Sequence, residues 1–295
     1  MNWLLFSIDV PRELAEAVTA ALESAGALSV SLQDAAHELL VEPLPGAQPI
    51  WRNPRVVALF SAAADAAAVE AALRAVLGEP LPPLAVSVLE DRDWSNTWRD
   101  TFRPMRFGAR LWVCPSGAAC PDAGAAVITL DPGVAFGTGT HATTALCLEW
   151  LDHHPPVARR VIDYGCGSGI LALAAARLGA AQVLATDIDP AALAVTRANA
   201  AANGIVSGID VCLPDDLDRT PADLVLANIL ANPLVELAPV LSALLRPGGT
   251  LLLTGILATQ AEAVSAAYAP WIVFDAPQQR EEWVLLTGTK HTAGA

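Results

Sequence analysis

Basic residues are scarce in this chain, in which 17 lysines and arginines stand against 31 aspartates and glutamates and the net charge is -14 over 295 residues. A negative field of this size repels a phosphate backbone, so direct nucleic-acid binding is not expected. The same field attracts cations, and a basic protein partner is compatible with it. Acidity that serves only solubility is the simpler explanation when the charge is considered alone.

Paired cysteines and long apolar runs are also missing. The five cysteines include no C-x-x-C pair, which disfavours a disulfide framework, redox chemistry and a metal site. Although 54% of the residues are apolar, no uncharged run free of Pro and Gly approaches the roughly 18 residues that span a membrane. Met1 to Val10 lacks a basic region, and Asp9 interrupts its apolar stretch, so a signal peptide is not expected. We therefore expect a soluble, cytoplasmic protein with reduced thiols and no membrane contact.

The length indicates two domains, since 295 residues is about twice the size of a typical domain. Over residues 1–92, short strands and helices follow the order βαββαβ, which is typical of a small ferredoxin-like α+β domain. Residues 93–126 are predicted to be a connector that contains a helix and a strand. Residues 127–295 alternate strands with helices, which predicts a doubly wound α/β domain with a mainly parallel sheet.

Two details of this organisation are specific enough to test. In the connector, Trp94, Trp98 and Phe102 recur every four residues and predict one packed face of a short helix. In the second domain we expect one helix over 233–245, and a C-terminal hairpin that begins at Ile272 and adds antiparallel strands to the edge of the sheet.

The sharpest motif is a glycine-rich loop between a predicted strand and a predicted helix, with the sequence DYGCGSG from Asp163. Glycines allow a tight turn and close approach of a ligand to the backbone, which makes Gly165 and Gly167 candidate cofactor-binding positions. A nicotinamide-binding loop would have the pattern G-x-G-x-x-G, with glycine where this chain has Ile170. Asp163 suits a ligand with an ammonium group, such as S-adenosylmethionine (AdoMet), better than a pyrophosphate. A turn that binds nothing is the alternative for the loop considered alone.

An acidic residue ends the next predicted strand. Asp187 lies 22 residues after Gly165, where a carboxylate can accept hydrogen bonds from both ribose hydroxyls of an adenosine-containing ligand. Asp189 is close by, but Pro190 begins the next helix, so Asp189 is expected to be its N-cap. We therefore assign the ribose to Asp187.

Asn228 follows the fourth strand of the second domain, beside the point at which the strand order reverses. Its side-chain oxygen can accept a hydrogen bond from an incoming amine and aim the nitrogen lone pair, although asparagine is also a common turn residue. Upstream, a segment rich in Gly and Thr precedes a helix and can clamp a carboxylate, with Thr140 or Thr144 supplying a hydroxyl. A capped helix is the alternative there. His141 has no partner at a spacing that would indicate a metal site or a catalytic pair.

Together these segments resemble the PrmA family, the AdoMet-dependent methyltransferases that modify the eleventh protein of the large ribosomal subunit. The resemblance in the second domain rests on DPGVAFGTGTHATT from 131, VIDYGCGSGIL from 161, TDIDP from 186, ANIL from 227, GILA from 255 and EEW from 281. Two further stretches, EPLPG from 42 and WRDTFRPMRFG from 98, extend it over nearly the whole chain.

The resemblance implies a class I (Rossmann-like) AdoMet methyltransferase domain joined to an N-terminal substrate-recognition domain. It places Thr144, Gly165, Asp187 and Asn228 at the family's cofactor contacts. The implied reaction is N-methylation, up to trimethylation, of lysine side chains and of the N-terminal amine of a basic ribosomal protein. No general base stands in these motifs, so the amine proton is expected to leave to solvent.

Two other functions stay open from the sequence. One is an AdoMet methyltransferase that acts on another amine or amide, although such relatives often continue with Asn-Pro-Pro where this chain has Asn228-Ile229-Leu230. The other is a binding factor that has the same fold and no catalytic activity.

Overall fold

The computed structural model describes residues 3–35, 51–89, 103–122, 124–131 and 139–292. The chain divides into two units, Met1–Thr97 and Trp98–Ala295. The predicted connector helix with its three aromatic residues lies outside the described residues. Within the described ranges, every helix is too short or too polar to cross a lipid bilayer.

The first unit is an antiparallel sheet of four strands with two helices on one face. Its elements in chain order are β1 Trp3–Asp9, α1 Arg12–Ser24, β2 Ser29–Asp34, β3 Pro54–Ser61, α2 Ala66–Leu77 and β4 Leu84–Leu89. The strand order is β2-β3-β1-β4, so the predicted ferredoxin-like arrangement is confirmed. Alternate strand residues such as Phe6 and Phe60 pack edge to face and are buried with Val18 and Leu73 of the helices.

The second unit contains a large sheet and a small one. Its elements are β5 Met105–Phe107, β6 Leu111–Cys114, β7 Ala126–Thr129, α3 Ala142–His153, β8 Arg160–Tyr164, α4 Ile170–Arg177, β9 Gln182–Thr186, α5 Pro190–Ala202, β10 Ile209–Cys212, β11 Ala222–Asn228, α6 Ala231–Glu236, α7 Ala238–Ala243, β12 Leu245–Leu257, α8 Ala261–Tyr268, β13 Ile272–Phe274, β14 Gln278–Arg280 and β15 Trp283–Lys290. The large sheet has the order β10-β9-β8-β11-β12-β15-β13, and β14 pairs with β15.

This order confirms the doubly wound sheet and its C-terminal hairpin. The pairings from β10 to β12 are parallel, whereas β15 is antiparallel to both β12 and β13. If β8 is counted as the first strand and the short β14 is left out, the order is 3-2-1-4-5-7-6. The dinucleotide-binding order is 3-2-1-4-5-6, so the insertion of an antiparallel seventh strand distinguishes this sheet.

Residues in the predicted connector form part of the second unit. The small sheet pairs β5 with β6 antiparallel and β6 with β7 parallel. Leu111, Val113 and Ile128 are fully buried in the same core cluster as Leu148 and Leu151 of α3. These strands are three or four residues long, too short for an alternating pattern to identify them.

A buried carboxylate joins the small sheet to α3. Asp152 accepts the backbone N–H of Ala109 at Oδ2 (2.6 Å) and the N–H groups of Arg110 and Leu111 at Oδ1 (3.0 Å each). Gly108 has a positive φ of 67°, and a Cβ there would lie 2.7 Å from Cγ of Asp152. The turn between β5 and β6 is therefore fixed to the helix that carries Thr144.

The single helix predicted over 233–245 is wrong, because the structure has two helices there, α6 and α7, which meet at Leu237. Pro239 has no N–H to donate to the carbonyl of Val235, and its ring disfavours a continuous helix at that point. The chain then enters β12 at Leu245.

Lys290, the only lysine in the chain, stabilises the end of α7. Its Nζ donates hydrogen bonds to the carbonyl oxygens of Ser242 and Leu245, both at 2.7 Å. Ser242 lies in the last turn of α7, where carbonyls have no partner within the helix, and a cation at a helix C-terminus also interacts favourably with the helix dipole.

Candidate functional site

The candidate site lies at the carboxyl ends of the parallel strands, where the strand order reverses between β8 and β11. Open α/β sheets bind ligands at this point. The five residues predicted to contact the cofactor, Thr144, Gly165, Gly167, Asp187 and Asn228, all line one cavity of about 190 Å³, which we call the central cavity. The structure therefore brings the whole predicted set together, while their contacts with a ligand stay predictions.

The glycine loop requires its glycines for two reasons. Gly165, Gly167 and Gly169 have φ values of 79°, 53° and 79°, a region that residues with a side chain rarely adopt. A Cβ on Gly165 would also overlap Cγ2 of Ile229. The loop is held against β9, because the carbonyl oxygen of Thr186 accepts the N–H groups of Gly165 (2.8 Å) and Cys166 (3.0 Å).

Helix α5 supports the same loop from behind. Thr196 donates from Oγ1 to the carbonyl of Gly167 (3.0 Å), and Asn199 donates from Nδ2 to the carbonyl of Ser168 (2.8 Å). Neither residue is predicted from the sequence to belong to the site, although their three-residue spacing puts them on one face of the helix. Their bonds fix the orientation of two peptide groups in the cavity wall.

Asp187 is oriented by the backbone on both of its oxygens. Oδ2 accepts the N–H of Gly167 and Oδ1 accepts the N–H of Asp189, both at 3.0 Å. Each carboxylate oxygen has a second lone pair, so the half-buried side chain can still accept two hydroxyl groups. Asp189 accepts the N–H of Ala191 (2.8 Å), which confirms its predicted role as the N-cap of α5.

Asp163 is buried, and it is not one of the described residues that line the central cavity. It is 1% exposed, and its Oδ2 accepts the N–H of Ala172 (2.9 Å) in α4. Burial raises the pKa of this carboxyl to about 7, although the hydrogen bond from Ala172 acts in the opposite direction. Asp163 therefore connects the end of β8 to α4, and its suitability for a ligand with an ammonium group stays a prediction.

The side chains of Asn228 and Thr144 form a hydrogen bond in the central cavity. Asn228 ends β11, and its Nδ2 donates to Oγ1 of the buried Thr144 at 3.4 Å, which turns the amide oxygen away from α3.

Of the two threonines expected in the clamp, Thr144 lines the cavity and Thr140 is exposed. Residues 132–138 of that segment lie outside the described residues. His141 is the N-cap of α3, since its Nδ1 accepts the N–H of Thr143 at 3.4 Å.

Two further cavities adjoin the central one. The apolar cavity, about 340 Å³, is lined by Tyr164, Gly165, Asp187, Ile188, Ile229, Leu230, Pro233 and Leu237. The aromatic cavity, about 280 Å³, is lined by His141, Thr143, Asn228, Ile229, Leu230, Gly255 and Trp283. Ile229 lines all three cavities, and Asn228 lines the central and the aromatic one. Asn228 therefore stands between two spaces, each large enough for part of a ligand.

Glycine on either side lets Ile229 occupy this position. Gly165 packs against its side chain, and Gly255 packs against its backbone: a Cβ on Gly255 would overlap the carbonyl oxygen of Ile229 and lie 2.7 Å from its carbonyl carbon. Gly255 has a φ of 85° and lies in a β-bulge, where β12 has one extra residue relative to β15. No local sequence pattern assigns Ile229, Gly255 or Trp283 to the site.

Comparison with known proteins identifies similar chains over the full length. The family model described as "Ribosomal protein L11 methyltransferase (PrmA)" matches residues 2–291. The ribosomal protein L11 methyltransferase of Methylococcus capsulatus is 51% identical over 98% of this chain and 100% of its own. The protein of that name from Pseudomonas aeruginosa is 49% identical over 98% of this chain and 99% of its own.

A solved structure supports the same relationship. The crystal structure of the ribosomal protein L11 methylase from Lactobacillus delbrueckii subsp. bulgaricus matches with a TM-score of 0.59 and 33% identity, covering 64% of this chain and 100% of that one. With the strand order above, this match confirms the predicted class I methyltransferase fold.

Proposed function

Because the chain belongs to the ribosomal protein L11 methyltransferase (PrmA) family, we propose that it transfers methyl groups from AdoMet to amines of ribosomal protein L11. The observation that carries the proposal is the convergence of Thr144, Gly165, Gly167, Asp187 and Asn228 on the central cavity. The chain is a methyltransferase. We propose which amines accept the methyl group, which residues bind the cofactor and the amine, and what the first unit does.

The central and apolar cavities suit AdoMet. Asp187 borders both of them and has lone pairs left for the ribose hydroxyls. Ile188 and Leu230 are 83% and 52% exposed at the rim of the apolar cavity, and a flat nucleobase would cover them. The buried hydroxyl of Thr144 faces the other end, where the cofactor's carboxylate would lie. When bound there, AdoMet supplies an electrophilic methyl group on a positively charged sulfur.

The aromatic cavity suits the acceptor amine. The described residues that line it carry no fixed charge, and burial in such surroundings favours a neutral amine over an ammonium. For a lysine with a pKa of ~10.4, deprotonation near pH 7.4 costs about 4 kcal/mol of free energy, so desolvation in the cavity is needed. For an N-terminal amine with a pKa of ~7.8, the same step costs under about 1 kcal/mol. The amide oxygen of Asn228 accepts an N–H of the amine and aims its lone pair.

Solvent takes the amine proton in this proposal. His141 is the one imidazole among the described lining residues of the aromatic cavity, and its Nδ1 accepts the N–H of Thr143 as the cap of α3. Its position is thus explained by helix capping, and desolvation followed by loss of the proton to water accounts for the neutral amine.

The acidic composition and the first unit fit a protein acceptor. A net charge of -14 attracts a basic ribosomal protein and disfavours binding to nucleic acid. We assign recognition of that acceptor to the first unit, because the cavities described here are lined by residues of the second unit alone. The reaction would take place in the cytoplasm, where ribosomal proteins are made.

Asp187→Ala is expected to weaken AdoMet binding by about 1.5 to 3 kcal/mol, the range for hydrogen bonds to a charged group. Asp189→Ala is the matched control, because it removes a carboxylate two residues away that caps α5 and borders none of the three cavities. Isothermal titration of both variants with AdoMet measures the effect. Equal dissociation constants for the two variants would remove Asp187 from the ribose site.

Asn228→Ala is expected to lower kcat on L11 by about 30-fold, corresponding to a loss of about 2 kcal/mol in positioning the amine. The dissociation constant of AdoMet should stay within about threefold of the wild-type value, because several other contacts hold the cofactor. The assay follows labelled methyl groups from AdoMet into ribosomal proteins of an extract, with the labelled protein identified by mass. Label in nucleic acid, or in another protein instead of L11, would contradict the proposed function.

A further inference from the structure

We propose that the second unit has its own docking surface for the acceptor protein, formed by the connection between β10 and β11 and by α7. An apolar side chain from a basic segment of the acceptor enters a cavity there, and the cations beside it meet exposed carboxylates. The inference rests on the proposed function and deepens it, since it adds a contact with the acceptor that involves neither the reacting amine nor the first unit.

The docking surface contains a fourth cavity of about 300 Å³, which we call the lateral cavity. The end of β8, the β10–β11 connection and α7 all contribute to its lining, which includes Tyr164, Asp215, Leu217, Arg219, Val240 and Ala243. Tyr164 is the one described residue that it shares with the apolar cavity, and it shares none with the central or the aromatic cavity. The lateral cavity can therefore be filled while the cofactor and the acceptor amine are bound.

The lateral cavity results from a short connection. Each of the two preceding connections carries a helix, α4 or α5, as crossovers between parallel strands usually do. Between β10 and β11, a stretch that the structure describes in full, the chain forms only a 3-10 turn over Pro214–Asp216, and Leu217 alone is buried. This single side chain covers less of the sheet than a helix does, so a recess remains beside α7.

Tyr164 brings an unpartnered hydroxyl to this cavity. Its side chain is 9% exposed, and no described residue forms a hydrogen bond with its hydroxyl, whereas Tyr268 donates to the carbonyl of Leu234 at 2.8 Å. Burial raises the pKa of Tyr164, with Arg219 acting in the opposite direction and Asp215 in the same one, so both charged groups lie close to the phenol. Buried hydroxyls normally have a partner, and the main chain of an entering segment can supply one.

The rim of the lateral cavity combines negative charge with apolar surface. Asp215, Asp216 and Glu236 are exposed, and none of them forms an ion pair with another described residue. Arg219 is the only cation among the described lining residues, and Val240 in the lining is 38% exposed. An apolar centre with a polar rim is the usual anatomy of a protein interface, and three carboxylates against one guanidinium favour a basic partner.

A basic segment of the acceptor is the occupant that this chemistry selects. The carboxylates repel phosphate groups, which disfavours nucleic acid and anionic lipid. A ribosomal protein is basic, and methylation brings it to the second unit in any case. Because the lateral cavity is separate from the reacting atoms, its contacts stabilise the bound acceptor and the transition state equally, and they act on KM and not on kcat.

The first experiment removes the charges. Asp215→Asn combined with Asp216→Asn is expected to raise KM for L11 at least fivefold at low ionic strength and to leave kcat within about twofold of wild type. Salt at about 0.5 M should remove most of the difference, because it screens exposed charges. Glu262→Gln combined with Asp275→Asn is the matched control, since it removes two exposed carboxylates elsewhere in the second unit and should leave KM unchanged.

The second experiment fills the cavity. Ala243 is exposed at the end of α7 and lines the lateral cavity, so Ala243→Phe occupies the space without reaching the cofactor. We expect KM for L11 to rise at least threefold at both salt concentrations, while free lysine at high concentration is methylated at the wild-type rate. Ala263→Phe, on the exposed side of α8, is the control for an added ring.

The third experiment measures contact without turnover. Photoreactive benzoylphenylalanine replaces Ala243 in the full chain, which is irradiated with purified L11. A cross-link is expected in a segment of L11 that contains lysine or arginine beside an apolar residue, as identified by mass spectrometry. The same replacement at Ala263 should give less than a fifth of that yield.

An unchanged KM in the charge variant or in Ala243→Phe overturns the inference, and so does a cross-link to a second copy of the enzyme in place of L11. Weaker AdoMet binding by the charge variant, measured by calorimetry, would assign the lateral cavity to the cofactor and overturn it as well. If the wild type transfers no methyl group to L11, the proposed function fails, and the cross-linking yield with L11 alone decides on the docking surface.

Discussion

Gly255→Ala is expected to lower kcat/KM for L11 methylation by about 10²-fold or more, because displacements of about 1 Å at an active site have effects of this size. The added Cβ would overlap the carbonyl oxygen of Ile229. That atom is backbone and cannot move by a change of rotamer. The β11 end must therefore shift, and with it Asn228 and the wall that separates the cavities. Steady-state kinetics and AdoMet titration of the purified variant measure both consequences.

Gly248→Ala is the matched control for this substitution. Gly248 lies in the same strand with a φ of 73°, but a Cβ there would meet only Cγ2 of Thr292, at 3.8 Å. Both variants bear the cost of a side chain at positive φ, about 1 to 2 kcal/mol of stability, and only Gly255→Ala adds the overlap. We expect Gly248→Ala to keep kcat/KM within about twofold of wild type, since it lies at the other end of β12. Equal kinetics for the two variants would refute the role given to the contact between Gly255 and Ile229.

A fragment that starts at Asp93 is expected to bind AdoMet like the intact chain and to lose about 10³-fold or more in kcat/KM on L11, since remote binding contacts can contribute several kcal/mol to positioning. The two units have separate cores: the buried cluster of the first unit ends at Leu73, and both clusters of the second begin beyond residue 105. The fragment should therefore fold. Calorimetry with AdoMet and kinetics with L11 measure the two properties separately.

Free lysine at high concentration is the control substrate for the fragment. It uses the aromatic cavity but needs no recognition by the first unit, so fragment and intact chain should methylate it at similar rates. A fragment that methylates L11 with nearly the full kcat/KM would contradict the assignment of L11 recognition to residues 1–92. Loss of AdoMet binding in a folded fragment would contradict the assignment of the cofactor to the second unit.

For the site residues that can be predicted from the sequence, the neighbouring residues explain why that residue type occurs. Gly165 and Gly167 lie in a tight turn after a strand, and Asp187 follows the end of the next strand. Their roles can therefore be predicted from the neighbouring residues alone. The same holds for Asp189, which precedes a proline at the first position of a helix. Gly165, Gly167 and Asp187 are therefore predictable from the local sequence, whereas the resemblance to the PrmA family selects Thr144 over Thr140 and places Asn228 among the cofactor contacts.

The residues that the sequence did not reveal depend on contacts between distant segments. Ile229 matters because Gly165 and Gly255 approach it from opposite sides, and Trp283 reaches the site because β15 is inserted antiparallel beside β12. No local pattern encodes either relationship. The break at Pro239 is different, because a proline inside a helical pattern is a local signal that a helix ends or kinks.

The position of Lys290 determines whether the enzyme can methylate its own lysine. A lysine methyltransferase carries its own potential substrate wherever it exposes a lysine amine, and this chain has one such residue. Two of the three N–H groups of its ammonium are donated to the carbonyls of Ser242 and Leu245, and β15 separates it from Trp283 by about 24 Å at ~3.4 Å per residue. We therefore expect the active site of a molecule not to methylate its own Lys290, and mass spectrometry of the purified enzyme after incubation with AdoMet checks this.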